Sequence, residues 1–600
     1  MASPLEIVLD ELRQNQPQWD AFEEPGHCVV LAGPGSGKTK VLTAKVARLL
    51  AEATEGPRGV ACITYNNECA RELRARIDRL GIQSGGRLFV GTVHSFCLAC
   101  VDVPFGHLYR KELQGPVRVA TPRMSRNALA QAIDETGVGG QPDIWTQPVE
   151  LYRRAHPIRD ASWNEDERLA RLIEQYELLL AGEGLLDFDG LVLTALDLIR
   201  SEPLVRASLE ARFPYLVVDE YQDLGYPLHL IVQTLMTSTG ITVLAVGDPD
   251  QSIYGFNGAN PRYLRELANQ AGVREIRLEM NYRCAQRIID GSQVALSPEE
   301  PRAYRSARET PEGELVFLEC GGGLGHQAKV IAEDLIPRLN AEGIPGGEIA
   351  ILYIDRGDAG VISDALQAAG IKYAGERDQR YLRTPFTRWL EGIAAWRCLY
   401  PNTDGRPRID ELLGYYTDLK IEARAAIDRS DLKERAQFFE FLTSLPGADA
   451  SLASLLASVD AGLSLRQCLE ACPLREEDLE AWDALVESAQ GGMLGGFMVD
   501  DFARGRGRPD TVTLTTLHSS KGLEYQVVLM PGLEEGRMPS FRADSDEALS
   551  EARRVFYVGM TRAKDAVYLL YSGWNQNRYG RRFESGASRF VNELREAFGV

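Results

Sequence analysis

The sequence has no run of about 20 uncharged apolar residues, the length that a membrane-spanning helix requires. Its first residues, MASPLEIVLDEL, become acidic early and contain no basic segment followed by an apolar one, so no secretion signal is expected. These two absences argue against an integral membrane protein or a secreted one. They predict a cytoplasmic location and no membrane partner.

Cysteine is sparse and scattered, with 10 residues in a chain of 600. Cys97 and Cys100 form a C-x-x-C pair, and Cys468 and Cys472 form a C-x-x-x-C pair. Neither pair has a second cysteine pair or a histidine pair at the spacing of a zinc site. Reduced thiols and no structural metal cluster are therefore expected.

The chain also has no excess of positive charge. It contains 66 Lys and Arg residues and 86 Asp and Glu residues, which gives a net charge of −20. This balance argues against broad electrostatic coating of nucleic acid. A local groove stays compatible with it, because affinity depends on the phosphate contacts that are made and not on whole-chain charge. The length of 600 residues implies several domains, since single cores stop growing near ~250–300 residues.

A phosphate-binding loop is present at residues 31–42, LAGPGSGKTKVL. An apolar strand at 28–32 precedes it and a segment of helical periodicity at 41–50 follows, which is the context that such a loop needs. Lys38 is expected to reach the β- and γ-phosphates, and the Thr39 hydroxyl is expected to ligate Mg²⁺. The predicted nucleotide-binding residues of this loop are Ala32, Gly33, Pro34, Gly35, Ser36, Gly37, Lys38, Thr39 and Lys40.

Two further strand ends carry residues suited to nucleotide hydrolysis. The apolar segment at 213–218 ends in Asp219 and Glu220. Asp219 is expected to complete the Mg²⁺ shell, and Glu220 is expected to orient or deprotonate the attacking water. The strand at 243–247 leads to Gln251, an uncharged donor that can sense a γ-phosphate.

The order of predicted elements indicates an α/β protein with two lobes. Strands at 58–64 and 87–93 join those above in one parallel sheet, and strands at 314–319, 348–353, 512–517, 526–531 and 566–571 form a second. Between 97 and 205 long helical stretches dominate, without clear strands. The expected divisions are 1–96 and 206–280 for the first lobe, 97–205 for its helical insertion, 281–389 and 506–600 for the second lobe, and 390–505 for its shorter insertion.

Eleven ordered segments resemble superfamily 1 DNA helicases of the UvrD/Rep/PcrA type, from nearly one end of the chain to the other. They are NQPQWDAF (15–22), AGPGSGKT (32–39), TYNNECARELRARI (64–77), VGTVHSF (90–96), LLDFDGLV (185–192), VVDEYQD (217–223), VGDPDQSIYGFNGA (246–259), LEMNYR (278–283), TLHSSKGLEY (516–525), LEEGRMPS (533–540) and YVGMTRA (557–563). The resemblance implies two RecA-like P-loop lobes that use ATP and Mg²⁺.

The resemblance also implies roles for five more residues at the nucleotide. Gln18 would present amide donor and acceptor atoms to the adenine edge, and Tyr282 would stack on the adenine ring. Glu524 would hydrogen-bond the ribose. Arg283 and Arg562 would reach across from the second lobe and clamp the γ-phosphate, as an arginine finger does.

By the same resemblance, the partners are single-stranded DNA and junctions between single and double strands. Tyr65, Tyr254 and Phe256 are candidate platforms for base stacking, although Tyr254 and Phe256 fit plain core positions as well. His94 fits an interior histidine equally. The candidate contacts to the DNA backbone, or to elements that couple it to the nucleotide, are Thr64, Asn66, Thr92, His94, Thr516 and His518.

The chain departs from the family at two places. Phe256-Asn257-Gly258-Ala259 stands where the family has Trp-Arg-Gly-Ala, and the insertion at 390–505 lacks a segment like TPxRGIG. The leading hypothesis is an ATP-dependent helicase or translocase that moves 3′→5′ on single-stranded DNA in repair or replication. The alternative is a DNA-stimulated ATPase subunit that senses or regulates for a protein partner, such as a nuclease in repair or phage defence. An RNA motor is a third option.

Overall fold

The computed structural model of the chain describes most of the 600 residues. The described ranges are 3–54, 56–65, 67–81, 85–109, 117–159, 161–297, 302–308, 312–375, 384–398, 409–422, 432–472, 475–492, 494–503, 511–576 and 582–600.

The first lobe is built on a six-stranded sheet in which every pair of neighbouring strands is parallel. Its central strands are buried on both faces, which explains their near-continuous apolar sequences. In spatial order the strands are Leu88–Thr92, Val60–Thr64, Tyr215–Val218, Thr242–Gly247, His27–Ala32 and Val273–Leu278.

Helices cover both faces of this sheet and bury a separate apolar cluster on each face. The first helix begins with a capping box, in which Ser3 and Glu6 satisfy each other's backbone N–H groups. The helices around the first sheet are Pro4–Arg13, Gln16–Glu23, Lys38–Arg48, Asn67–Arg79, Val93–Phe96, Val103–Tyr109, Tyr226–Ser238 and Arg262–Ala268.

A helical insertion lies between the third and fourth strands of the first lobe in chain order. Its helices are Pro122–Thr136, Pro142–Ala155, Glu167–Gly182, Phe188–Ser201 and Pro203–Arg212, and most of them enclose an apolar core of their own. Side-chain caps from Thr121, Asp166 and Asp187 fix three of their starting points. Two short strands, Arg118–Val119 and Leu185–Leu186, pair beside them.

The second lobe repeats the plan with another six-stranded parallel sheet. Its strands, in spatial order, are Glu314–Glu319, Ala563–Tyr571, Tyr525–Met530, Ile349–Tyr353, Val512–Thr516 and Tyr373–Gly375. Its helices are Gln286–Leu296, Gly323–Val330, Ile336–Ala341, Arg356–Ala368, Asp546–Met560 and Arg589–Phe598. Short pairings join Met280–Asn281 to Arg305–Ser306 and Trp574–Gln576 to Arg582–Glu584.

A second helical insertion separates Tyr373–Gly375 from Val512–Thr516. Its described helices are Pro385–Arg397, Ile409–Glu422, Leu432–Ser444, Leu452–Leu463, Leu465–Glu470, Glu476–Gly491 and Val499–Ala503. They share one apolar core that includes three tryptophans, Trp389, Trp396 and Trp482. This core makes the insertion a packed unit of its own.

The expected fold class, α/β with two parallel-sheet lobes that each carry a helical insertion, is confirmed. Every strand expected from the sequence is present within a few residues of its expected position. The edge strands Val273–Leu278 and Tyr373–Gly375 and the two short strands of the first insertion were not predicted from the sequence. Among the described helices, none combines the length and the apolar character needed to cross a membrane.

Candidate nucleotide site and nucleic-acid interface

The phosphate-binding loop joins strand His27–Ala32 to helix Lys38–Arg48 and depends on its glycines. Gly35 and Gly37 have φ of +67° and +81°, a backbone region that favours glycine. A Cβ atom on Gly35 would lie 2.6 Å from the Cβ of Arg283, and one on Gly37 would lie 2.7 Å from the Nε2 of Gln18. Glycine therefore lets two other site residues approach the loop closely.

Lys38 begins the helix after the loop and faces a group of carboxylates. Its Nζ lies 3.4 Å from the Oε1 of Glu220. Burial acts to lower the pKa of Lys38, but the carboxylates of Glu220, Asp248 and Asp219 outweigh burial and raise it. Burial acts to raise the pKa of Glu220, but the ammonium groups of Lys38 and Lys521 dominate and lower it to about 2. The pair is therefore fully charged at neutral pH.

The two acids after strand Tyr215–Val218 occupy different backbone conformations. Asp219 is buried, and its Oδ1 accepts the backbone N–H of Glu220. Glu220 has φ of +50°, a backbone conformation that is strained for residues other than glycine and is typical of functional turns. Its Oε2 accepts a hydrogen bond from Gln222 at 2.5 Å. The turn thus holds the Glu220 carboxylate against Lys38.

The oxygen donors expected for a magnesium ion fit that ion chemically. Mg²⁺ prefers carboxylate, hydroxyl and phosphate oxygens, and the hydroxyl of Thr39 and the carboxylate of Asp219 are such donors. Among the described residues, no group of three or more His, Cys, Asp or Glu side chains forms a metal-binding cluster.

A second set of residues lies beside the end of the loop and the first turn of the following helix, and offers a place for a base. Gln18 is buried, and its Nε2 donates to the carbonyl of Ser36 at 2.8 Å. Its Oε1 has no hydrogen-bond partner within the described part of the chain. Tyr282 is 45 % exposed, and its hydroxyl accepts a hydrogen bond from Asn15 at 3.0 Å. The Nζ of Lys40 lies 5.8 Å from the Tyr282 ring.

This geometry suits the adenine contacts expected from the sequence. The buried, unpartnered oxygen of Gln18 can accept a hydrogen bond from a base, and the exposed face of Tyr282 is available for stacking. One amide N–H of Gln18 already donates to the Ser36 carbonyl, so fewer donors remain for the adenine edge than the sequence predicts.

Arg562 crosses from the second lobe to the first and is almost completely buried, at 2 % exposure. Its Nη2 donates to the Oε1 of Gln251 at 3.4 Å, and its Nε donates to the carbonyl of Val558 at 2.9 Å. Burial lowers the pKa of Arg562 to about 10, and the nearby charge of Arg283 adds to the effect. The guanidinium stays protonated at pH 7, next to the residue expected to sense the γ-phosphate.

The other expected arginine, Arg283, pairs with the residue expected to bind ribose. Its Nε donates to the Oε2 of Glu524 at 2.8 Å. Lys564 also lies 3.4 Å from Glu524. Burial acts to raise the pKa of Glu524, but Arg283 and Lys564 outweigh it and lower that pKa. The structure thus brings these two predicted site residues into contact with each other.

Two of the three expected stacking platforms face one another. The rings of Tyr65 and Tyr254 are stacked with centroids 5.0 Å apart and planes 18° apart. Burial raises the pKa of Tyr65, although the nearby Asn257 side chain acts to lower it. Phe256 lies in the short helix Gly255–Asn257, but its side chain is outside the described part of the structure. Asn66 lies outside the described residues as well.

The other candidate contacts differ in how far they are exposed. Thr64 is fully buried at the end of its strand, and Thr92 is buried as the N-cap of helix Val93–Phe96. His94 and His518 are partly buried, and burial lowers the pKa of both. Thr516 exchanges hydrogen bonds with Ser519.

Three residues near these sites received no role from the sequence. Phe188 is 59 % exposed and meets His94 edge to face, with centroids 5.5 Å apart. Lys521 and Asp223 form a buried ion pair between the lobes at 2.7 Å. All three lie within the segments quoted for the family resemblance. An aromatic residue between two acids in LLDFDGLV was the available signal for Phe188.

The ten cysteines are all free thiols, and most of them are buried. Burial raises the pKa of the Cys97 thiol and raises that of Cys100 to about 11. Both thiols therefore stay protonated at neutral pH.

Comparison with known proteins gives the following matches. The family model for the UvrD/REP helicase N-terminal domain matches residues 14–272, and the model for the UvrD-like helicase C-terminal domain matches residues 500–573. The chain is 28 % identical to DNA helicase II of Salmonella typhimurium, over 98 % of this chain and 88 % of the relative. It is 26 % identical to ATP-dependent DNA helicase UvrD1 of Mycobacterium tuberculosis, over 99 % and 86 %. Identity to ATP-dependent DNA helicase PcrA of Staphylococcus aureus is 24 %, over 95 % and 84 %.

Proposed function

The chain belongs to the UvrD/Rep helicase family, and we propose that it is an ATP-dependent DNA helicase that moves 3′→5′ along single-stranded DNA. Hydrolysis of ATP between the two lobes would drive strand separation, in DNA repair or replication. The direction and the cellular process rest on family resemblance alone. The catalytic part of the proposal rests on the contacts between the lobes.

One observation carries the proposal most directly. The segment that follows strand Thr242–Gly247 has Gln251 in contact with Arg562 and, three residues later, Tyr254 stacked on Tyr65. The candidate γ-phosphate sensor and the candidate base platform therefore share one short stretch of backbone. A shift of this stretch moves both sites together, which is what a nucleic-acid motor requires.

Lys38 and Glu220 are proposed to perform the hydrolytic step. A γ-phosphate would attract the Lys38 ammonium and weaken its hold on Glu220. The pKa of Glu220 would then rise from about 2 toward that of an effective base, because its main stabilising cation is engaged elsewhere. The carboxylate would orient the attacking water and accept its proton. Mg²⁺ bound with ATP, through Thr39 and Asp219, would neutralise phosphate charge.

The second lobe is proposed to supply two positive charges to the transferred phosphoryl group. Arg562 already lies beside Gln251, while Arg283 is held by Glu524. Arg283 would exchange this carboxylate for phosphate, which frees Glu524 to accept a hydrogen bond from the ribose. Side chains from both lobes would then bind the same nucleotide. Hydrolysis would remove the γ-phosphate, which is the group that joins the two lobes.

We propose that single-stranded DNA binds along the aromatic residues close to the cleft between the two lobes. Bases would stack on four aromatic side chains, those of Tyr65, Tyr254, Phe256 and the exposed Phe188. The DNA backbone would be contacted, directly or through side chains that they position, by Asn66, Thr92, His94, Thr516 and His518. Thr64 is fully buried, so we assign it a coupling role beneath Tyr65. We also propose the domain divisions given above for the two lobes and their insertions.

The test is steady-state ATPase with and without single-stranded DNA, beside unwinding of duplexes with matched 3′ or 5′ tails at low salt. Stimulation together with opening of the 3′-tailed duplex is expected. Opening of the 5′-tailed duplex alone would overturn the direction. Stimulation without unwinding would favour the alternative of a sensing subunit that needs a partner. Glu220→Gln serves as the matched control, since it should bind ATP and stall turnover.

A further inference from the structure

Tyr304 lies against the phosphate-binding loop, and the proposed chemistry gives it no role. A Cβ atom on Gly33 would lie 2.8 Å from the Cζ of Tyr304 and 3.1 Å from its hydroxyl oxygen. The end of the ring therefore occupies the space that a side chain at position 33 would need. The ring also packs against the apolar cluster of the second lobe. Its segment, 302–308, lies outside the eleven segments of the family resemblance.

Two anchors fix this segment on either side of Tyr304. Before it, Arg302 donates two hydrogen bonds of 3.1 Å to the carboxylate of Asp250, which is buried. After it, the backbone N–H of Arg305 donates to the carbonyl of Glu279 at 3.0 Å. A shift of the segment away from the loop would break these contacts.

Space, and not backbone conformation, accounts for the glycine at position 33. Unlike Gly35 and Gly37, Gly33 does not have a positive φ, so its backbone conformation would accept an alanine. The Cβ of that alanine would lie within 3.2 Å of three atoms at the end of the Tyr304 side chain. Packed interiors tolerate such overlap poorly. The glycine and the tyrosine therefore fit each other as a pair.

The contact acts on the first half of the phosphate-binding loop. The Gly33 carbonyl accepts hydrogen bonds from the hydroxyl and the backbone N–H of Ser36, at 2.7 and 3.3 Å, and these fix the curve of the loop. The backbone N–H groups of such a loop must converge on a phosphate group. Burial and the carboxylates of Asp248 and Asp250 raise the pKa of Tyr304 well above its ordinary value. The phenol therefore stays uncharged next to a loop that binds anions.

We propose that Tyr304 is a positioning residue that holds the phosphate-binding loop in its nucleotide-binding shape, and that residue 33 is a glycine because it must admit this ring. The role rests on the proposed function, since it requires the loop to bind ATP. A loop that is already ordered loses less conformational entropy on binding. Tyr304 should therefore strengthen nucleotide binding without taking part in hydrolysis.

The experiment measures the affinity of the full chain for mant-ATP without DNA, together with ATPase KM and kcat in the presence of oligo(dT). Tyr304→Ala should weaken mant-ATP binding by about tenfold and raise KM in parallel, the factor expected when the backbone of one residue is no longer fixed. Its kcat should stay within about twofold of wild type, because the hydrolytic groups are unchanged. Tyr304→Phe keeps the ring and should restore wild-type affinity.

An exchange of side-chain size tests the pair directly. Gly33→Ala alone should weaken mant-ATP binding, because its Cβ collides with the ring. Gly33→Ala combined with Tyr304→Ala removes the collision and should bind mant-ATP at least about threefold more tightly than Gly33→Ala alone. Phe598→Ala is the matched control. It removes a ring that packs on the same apolar cluster from the last helix, and it should keep wild-type affinity.

The outcomes that would overturn the proposal differ from one another. Wild-type affinity in Tyr304→Ala would show that the ring does not order the loop. If that variant does not fold, wild-type affinity in Gly33→Ala would show that the ring does not fill this space. Equal losses in Tyr304→Phe and Tyr304→Ala would make the hydroxyl a nucleotide contact instead. A wild-type chain that does not bind mant-ATP would remove the proposed function, and the role of Tyr304 with it.

Discussion

Of the arginines that the structure describes, two are almost completely buried, and their surroundings are opposite. Arg153, at 1 % exposure in the first insertion, makes a two-point ion pair with Asp187 at 2.6 and 3.0 Å and bonds Glu177 at 3.1 Å. Burial acts to lower the pKa of Arg153, but these carboxylates raise it well above its ordinary value. Arg562, at 2 % exposure, contacts carbonyl and amide oxygens and forms no ion pair with any described carboxylate.

We propose that the contrast separates a structural cation, Arg153, from a functional one, Arg562. Arg153 is neutralised within its own domain, and its partner Asp187 also caps helix Phe188–Ser201. Arg562 carries a buried charge that its neighbours do not balance, and its pKa falls to about 10 as a result. A buried cation that has no carboxylate partner gains the most electrostatic stabilisation when an anion binds beside it. That is the condition expected for a transition-state arginine.

Arg562→Ala gives the largest expected effect. It should lower ATPase kcat by on the order of 10³-fold or more, because the charge that develops on the phosphoryl group loses its cation. Its thermal unfolding midpoint should not fall, since the variant removes an unbalanced buried charge. Steady-state kinetics and calorimetry measure the two quantities. If Arg562→Ala lowers the unfolding midpoint and leaves kcat unchanged, Arg562 is a structural cation and not a functional one.

Arg153→Met should do the opposite. Loss of the cation leaves Asp187 without its ion-pair partner, while Glu177 keeps its pair with Arg159. Breaking a buried pair in this way costs about 3–5 kcal/mol of stability. Urea unfolding measures the loss, and kcat per folded molecule should stay close to wild type. Tyr176→Phe is the matched control. It removes one hydrogen bond to Asp187, of 2.8 Å, and should cost about 1 kcal/mol.

Asp102 extends the comparison to a buried acid that has no cation partner among the described residues. Neither carboxylate oxygen has a hydrogen-bond partner in the described part of the chain, and burial raises the pKa of Asp102 from 3.8 to about 8. Between these two values the folded chain keeps a proton that the unfolded chain releases. Stability should therefore fall as pH rises from about 4 to 8, by about 1.4 kcal/mol per pH unit.

Asp102→Asn should remove that slope. Its unfolding midpoint should be close to wild type at pH 5 and above it at pH 8, when both proteins are compared by calorimetry. Equal pH dependence in the two proteins would show that the acid is not buried as described.

Glu524→Gln gives the smallest expected effect. Arg283, unlike Arg562, is held by a carboxylate in a partly exposed pair. The change should raise the KM for ATP by several-fold, equivalent to about 1 kcal/mol for one hydrogen bond, with little change in kcat. A large loss of kcat would mean that Glu524 positions Arg283 and does not merely bind the nucleotide.

The sequence was informative where a local pattern determines structure. The phosphate loop, the acid pair after a strand and the central strands all follow from residues close together in the chain. Strand Val273–Leu278 was missed because it lies at a sheet edge, where Arg274, Glu275 and Arg277 replace an apolar run. Short strands such as Arg118–Val119 form only through a distant partner.

Contacts between distant segments could not be read from the sequence. The stack of Tyr65 on Tyr254, the pairing of Arg283 with Glu524 and the link of Lys521 to Asp223 each join residues far apart in the chain. The burial of Thr64 has the same origin, because it depends on how the sheet is covered. The residue types of the candidate site were predictable, while their pairing needed the fold.

The unpartnered oxygen of Gln18 has a consequence for which nucleobase the site accepts. Adenine carries an amino group at position 6 that can donate to this oxygen, whereas guanine carries a carbonyl oxygen there, which would face it with like partial charge. A buried acceptor left opposite another acceptor weakens binding more than a merely missing contact does. We therefore propose that the amide of Gln18 discriminates against guanine nucleotides, so that GTP would support less hydrolysis than ATP.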